Sequence, residues 1–225
     1  MSNACVITLA ILALAGPATG QELVSFPTDD GGVVYADVYG CGDHGIVLAH
    51  GGRFNKHSWA IQAQTLANAG FRVVAIDFRG RGQSRGGPQA GSADDVRFDV
   101  LAAVQFLHEA GTKTVSVIGA SFGGWAAAQA AVETPEGQID RIVLLAASPI
   151  DEPEKMTGRK LFITTRDDFS GDGILRLPGI RDQFEQAPDP KQLLILNGSA
   201  HAQHIFETDQ GARLMAEILR FLSEP

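Results

Sequence analysis

Between residues 45 and 222, short runs of β-branched and aliphatic residues alternate with longer segments of helical spacing. This alternation constrains the fold more than any other feature of the sequence. Gly45 to Ala49 (GIVLA), Arg72 to Phe78, Thr114 to Gly119, Arg141 to Ala146, Leu161 to Thr164 and Leu193 to Leu196 read as strands. Continuous apolar runs of that length suit strands buried on both faces. Between them, helical spacing is found over 58–69, Asp94 to Ala110, Trp125 to Val132, Ile180 to Gln186 and Thr208 to Leu222. In the second of these, Val96, Val100, Val104 and Leu107 recur at intervals of four and three, and Gly111 follows as a C-cap residue would. Leu23 to Phe26 and Val33 to Tyr39 read as a hairpin turned by Asp29-Asp30-Gly31-Gly32. Strand–helix repetition implies a mostly parallel sheet of eight strands with helices on both faces.

The 225 residues suit one large domain, long enough to bury a core without disulfide staples. A net charge of −8, with no basic run, argues against a nucleic-acid partner. No Cys/His spacing of the zinc type occurs, and no metal or organic cofactor is implied. The first twenty residues contain no Lys, Arg, Asp or Glu; Val6 to Ala15 is an apolar run, followed by Gly16-Pro17-Ala18-Thr19-Gly20. That reads as a secretory signal over 1–20, with the domain over 21–225. Export to the periplasm or medium is the expectation, a cytoplasmic location the alternative. The run is too short for a stable membrane span. Cleavage would remove Cys5 and leave Cys41, in a Gly-rich turn, without an intrachain partner.

At the end of the strand TVSVIG stands Gly119-Ala120-Ser121-Phe122-Gly123-Gly124, and a helix of small residues follows. A serine on so sharp a strand-to-helix turn occupies strained backbone and presents its hydroxyl above the sheet. Side chains at Gly119 and Gly123 would collide with the sheet and the neighbouring helix. A Gly-rich turn without chemistry is the plain reading of the pentapeptide alone; its place between strand and helix favours Ser121 as a nucleophile. Serine needs a base, and six histidines are available: His44, His50, His57, His108, His201 and His204.

With His50-Gly51-Gly52 after the third strand and Asp77-Phe78-Arg79-Gly80-Arg81-Gly82-Gln83-Ser84 after the fourth, the chain resembles the α/β-hydrolase superfamily over nearly all of residues 21–225. The resemblance implies an α/β-hydrolase fold and a Ser–Asp–His order along the chain. His201, in Asn197-Gly198-Ser199-Ala200-His201 after the last strand, matches the family's base, with His204 as runner-up. The acid follows Leu161 to Thr164; Asp168 fits the family's offset, Asp167 is one residue early and Asp172 a remote third. Thr165 stands where that family commonly has glycine. Asp77 is expected to organise its loop, and His50 to shape the loop that carries an oxyanion-binding amide. Those amides are expected from Gly52 (or Arg53) and Phe122. Arg53 and Phe54 could line the pocket.

A Ser–His–Asp set implies acyl transfer to water through an acyl-Ser121 intermediate, on a (thio)ester or amide of a small acyl substrate. Ala147 to Arg159 is only 13 residues, too short for the helical cap that many members insert there, so an open, carboxylesterase-like or dienelactone-hydrolase-like site is expected. The competing expectations are a non-catalytic or ligand-binding protein of this fold and a cofactor-free peroxidase of this fold.

Overall fold

The computed structural model describes residues 21–88 and 93–224; the predicted leader, residues 1–20, lies outside them. Eight strands form one sheet: β1 (Glu22–Pro27), β2 (Val33–Tyr39), β3 (His44–Ala49), β4 (Arg72–Ile76), β5 (Thr114–Ala120), β6 (Arg141–Leu145), β7 (Arg159–Thr165) and β8 (Lys191–Leu196). Their order is β1-β2-β4-β3-β5-β6-β7-β8. β2 pairs antiparallel with β1 and with β4, and every other pairing is parallel. Five helices accompany them: α1 (Ala60–Asn68), α2 (Arg97–Glu109), α3 (Phe122–Glu133), α4 (Leu177–Gln186) and α5 (Gly211–Ser223).

Strand residues alternate between two cores, as a pleated sheet covered on both faces requires. Val47, Val74 and Val117 pack with α2 and α3 through Val100, Leu107, Ala127 and Ala131. Ile46, Val73 and Ile118 pack on the other face with α1, the turn just before it and α5 through Trp59, Leu66, Leu214 and Ile218. Helix α5 earns its place by spacing: Leu214, Ile218 and Leu222 fall four apart on one face and are all buried. Full burial of each such side chain is worth about 1.5–3 kcal/mol.

Several boundaries differ from the sequence reading, each for a local reason. α3 begins at Phe122, three residues before the expected start, so it contains Gly123 and Gly124. Glycine reads as a turn residue in sequence, but here the two glycines permit close packing. The first and second expected helices begin instead as 3-10 turns over Lys56–Trp59 and Ala93–Val96, and the last begins at Gly211 rather than Thr208, behind a separate 3-10 turn over Ala202–Glu207. Such tightened turns at helix starts carry little periodic signal. β4 ends at Ile76, because Asp77 and Phe78 already belong to the following turn. Between β6 and β7 the only helical element is the three-residue turn Pro153–Lys155, and no cap domain is present there.

The chain runs outward from β3 to β4 and then returns to β5 on β3's other side. Where strand order reverses in this way, the loops leaving the carboxyl ends of the two central strands diverge and open a crevice. Ala49 pairs with Gly119 there, so His50 and Ser121 leave adjacent strand ends. No helix among the described residues is long and apolar enough to cross a membrane.

Candidate active site

Ser121 has φ +51° and ψ −114°, a conformation that side-chain-bearing residues rarely adopt. Its amide is held by the Leu145 carbonyl at 2.8 Å, and its own carbonyl accepts the Trp125 amide at 2.9 Å, so sheet and helix fix the turn from both sides. The flanking glycines are demanded by space. A Cβ at Gly119 would stand 2.3 Å from the Gly123 carbonyl oxygen, and one at Gly123 would stand 2.3 Å from the Ala49 carbonyl oxygen. At Gly124 a Cβ would stand 2.7 Å from the Ala147 Cβ, less crowded but still closer than real contacts allow.

Three side chains from separate loops meet at this turn. The Ser121 Oγ and the His201 Nε2 are 2.7 Å apart, and the His201 Nδ1 lies 2.7 Å from Oδ2 of Asp168. With Nδ1–H donating to the carboxylate, Nε2 is left as an acceptor for the serine hydroxyl. Asp168 is fully buried, whereas Asp167 and Asp172 are exposed and away from His201. The Asp167 amide instead donates to the Gly198 carbonyl. His204 is exposed, pairs with Glu207 at 3.2 Å and tilts over Phe54. The other histidines serve elsewhere: His108 reaches the Gln138 carbonyl, His44 reaches Ser116 at the far end of the sheet, and His57 lies 3.5 Å from Asp37.

The loops carrying His201 and Asp168 are tied to each other. The Arg166 amide donates to the Leu196 carbonyl, and the Thr165 hydroxyl donates to the Ala200 carbonyl at 2.9 Å, next to His201. The threonine at the position where glycine was expected therefore has a use: it anchors the histidine's loop. Arg176, which the sequence reading passed over, donates its amide to the Asp168 carbonyl and holds its Nε 3.5 Å from Oδ1 of Asp168.

On the other flank, His50 is buried. Its Nε2 accepts the Phe78 amide at 3.3 Å, which places the proton on Nδ1 for donation to the Gly51 carbonyl at 2.8 Å. Burial pushes its pKa down and favours this neutral form. The Gly51 carbonyl also accepts the Phe54 amide. A trans peptide points its C=O and N–H to opposite sides, so fixing that carbonyl also fixes the Gly52 amide. Gly52 lies beside Phe122: a Cβ there would contact the Phe122 Cβ at 3.5 Å. The Phe122 amide belongs to the first turn of α3, where no intrahelical acceptor exists and the helix dipole favours negative charge. Arg53 is exposed, and Asp77 accepts the Lys56 amide at 2.8 Å, which closes the same loop.

Two clefts adjoin these residues. One, of about 330 Å³, is lined by His50, Gly52, Phe78, Arg81 and Phe122 among others. The other, of about 580 Å³, is lined by Ala147, Pro149, Ile174, Leu175, Arg176 and Ile180 among others, and is mostly apolar. Another cleft, around Lys160 and Pro190, opens at the amino ends of the strands, away from Ser121. Among the described residues no group of three or more His, Cys, Asp or Glu side chains could hold a metal ion.

A family model described as "Alpha/beta hydrolase family" matches residues 46–221. The 2-hydroxy-6-oxononadienedioate/2-hydroxy-6-oxononatrienedioate hydrolase of Burkholderia vietnamiensis is 34% identical over 109 residues, which are 47% of this chain and 37% of that protein. The match thus spans little more than a third of that relative's length. An alpha/beta hydrolase from Penicillium sp. sh18 superposes with a TM-score of 0.76 at 16% identity, over 90% of this chain and 98% of that one. An esterase from Pyrococcus furiosus superposes with a TM-score of 0.74 at 17% identity, over 91% and 92%. These two likenesses are of fold.

Proposed function

The chain belongs to the alpha/beta hydrolase family, and from that premise we propose that it is a serine hydrolase cleaving a small acyl ester, thioester or amide. One observation carries the reading: the Ser121–His201–Asp168 chain of 2.7 Å contacts, set on a strained strand-to-helix turn. Backbone strain of this kind persists only where the surroundings over-determine it, and it clusters at reactive groups.

The geometry suits the following steps. His201 Nε2 takes the hydroxyl proton as the Ser121 Oγ bonds to the acyl carbon, and the carbonyl electron pair moves onto oxygen. The resulting oxyanion lies within reach of the Gly52 and Phe122 amides. Asp168 orients the imidazole and stabilises its cationic form. His201 then returns the proton to the leaving group as the bond to it breaks. Water then bonds to the acyl carbon as the same imidazole takes its proton, and that proton passes to the Ser121 Oγ as the acyl–oxygen bond breaks and the acid leaves. Each such amide donor is worth about 10²–10³ in rate in comparable sites.

The substrate's two halves have two clefts available, one beside Gly52 and Phe122, the other beside Arg176. With no cap between β6 and β7, nothing there covers a long chain, which favours short acyl groups. A fluorophosphonate probe tests the proposal. The folded wild-type protein is expected to label and Ser121→Ala not to. A p-nitrophenyl ester series is expected to favour acetate and butyrate over palmitate. A folded wild type that neither labels nor hydrolyses any of these esters would sink the reading.

A further inference from the structure

Gln203 lies two residues beyond His201, in the 3-10 turn Ala202–Glu207, and is buried. Its Oε1 accepts the Gly51 amide at 2.8 Å, and its Nε2 donates to the Ser58 hydroxyl at 2.9 Å. Ser58 in turn donates to the Asn55 carbonyl at 2.6 Å. The amide's orientation follows from its partners, since only the oxygen can accept the Gly51 N–H. The side chain thus bridges the loop carrying His201 to both ends of the loop carrying Gly51 and Gly52. No bond of the proposed reaction passes through it.

We propose that Gln203 is a positioning residue that holds the oxyanion-binding amide of Gly52 in register with His201. This rests on the serine-hydrolase reading above. The argument is geometric. The Gly51–Gly52 peptide is fixed on its carbonyl side by His50 Nδ1–H and the Phe54 amide. The preceding amide of Gly51 is fixed by Gln203 alone. Without Gln203 the Gly51 amide would be buried and unsatisfied, and the His50–Gly51 peptide could turn to find another acceptor, drawing the adjoining Gly51–Gly52 peptide off its own carbonyl partners. Gly51 and Gly52 carry no side chain to resist that turn. The oxyanion donor would then leave its place while Ser121, His201 and Asp168 kept theirs. The same side chain also fixes the distance between base and oxyanion site, because it belongs to the segment that begins at His201.

The test compares wild type, Ser121→Ala, Gln203→Met and Gln203→Glu on p-nitrophenyl butyrate. A propyl trifluoromethyl ketone serves as the analogue: Ser121 Oγ adds to its carbonyl carbon, the proton passes to His201, and the oxygen becomes an oxyanion. Thermal melts followed by circular dichroism report folding. Gln203→Met is expected to lower kcat about 10- to 100-fold, with KM within about threefold of wild type. The ketone's inhibition constant should weaken by the same factor as kcat. Gln203→Glu keeps an acceptor for Gly51, and Ser58 can turn its hydroxyl to donate to the carboxylate; kcat is expected within about fivefold of wild type. Should the methionine variant not fold, Ser58→Ala carries the test, with kcat and ketone affinity falling together. Retention of kcat within about twofold in a folded Gln203→Met, or ketone binding unchanged while kcat falls, overturns the proposal. Full hydrolysis by Ser121→Ala would instead overturn the serine-hydrolase reading, whatever Gln203 does.

Discussion

Ser121 combines two requirements that pull against each other. Its hydroxyl must stand clear of the sheet, yet its backbone must bend so sharply that φ becomes +51°. The pair of angles is the mirror image of ordinary extended backbone, which glycine adopts freely and serine does not. Strain at such a residue costs about 1–3 kcal/mol. Ser121→Ala removes the hydroxyl and keeps the strain, whereas Ser121→Gly removes both. The glycine variant gives back about 0.5–1 kcal/mol through the freer unfolded chain. The expected outcome is that Ser121→Gly is more stable than Ser121→Ala by about 1 kcal/mol, both being inactive, as read from urea unfolding midpoints. A Ser121→Gly variant less stable than Ser121→Ala by about 0.5–1 kcal/mol would show that the turn carries no strain. Gly119 and Gly123 were legible from sequence because their role is steric and local. The roles of Gln203 and Arg176 were not, since each depends on a partner that only the fold brings close. Thr165 was visible only as a departure from glycine, without the Ala200 contact that explains it.

Among the elements, the turn after β4 adds a charged tie to the β2–β4 ladder that already joins the antiparallel edge to the rest of the sheet. Arg79 donates through Nε and Nη2 to Oδ1 of Asp99, at 3.0 and 2.7 Å, and through its amide to Oδ2 of the same residue. Its Nη1 reaches Asp30 at 2.5 Å. One guanidinium therefore joins the β1–β2 turn, the β4 turn and α2. Burial opposes its charge, but the carboxylates of Asp99 and Asp30 hold it protonated, and the Arg79 hydrogen bond in turn lowers the pKa of Asp30. Asp99 is fully buried, so removing its partner strands a charge. Arg79→Met is expected to destabilise the fold by about 3–5 kcal/mol, measured by chemical denaturation. Arg79→Lys should recover only part of this, because an ammonium cannot bridge two carboxylates as the planar fork does. Recovery to wild type by lysine would mean that charge alone matters. The order and type of the strands and helices were legible throughout, because apolar periodicity reports burial directly. The 3-10 turns and the helical start at Phe122 were not: the former are too short for a period, and at the latter the glycines Gly123 and Gly124 mimic a loop.

Across the whole molecule, the two ends of the sheet divide the work. The carboxyl ends hold Ser121, His201 and Asp168, while the amino ends hold a polar pair that plays no part in the proposed chemistry. There the His44 Nε2 meets the buried Ser116 hydroxyl at 2.7 Å, and its ring stands edge-on to Phe71. Burial, with the nearby Arg141 charge, lowers the His44 pKa from 6.5 to about 4. The sign follows from linkage. Between those two values the unfolded chain binds a proton that the folded chain does not, so stability is lost as pH falls from 6.5 towards 4. Allowing for partial exposure, the loss is at most about 2 kcal/mol. His50, also lowered by burial, adds a loss of the same sign, whereas Asp99, raised by burial, gains stability as pH falls. Glutamine can still face Ser116 but cannot titrate. Wild type and His44→Gln are therefore expected to lie closest near pH 7 and to diverge towards pH 4, the wild type losing more stability, as followed by thermal melts at half-unit steps. Parallel curves for the two proteins would show that His44 carries its proton equally well in the folded and unfolded chain.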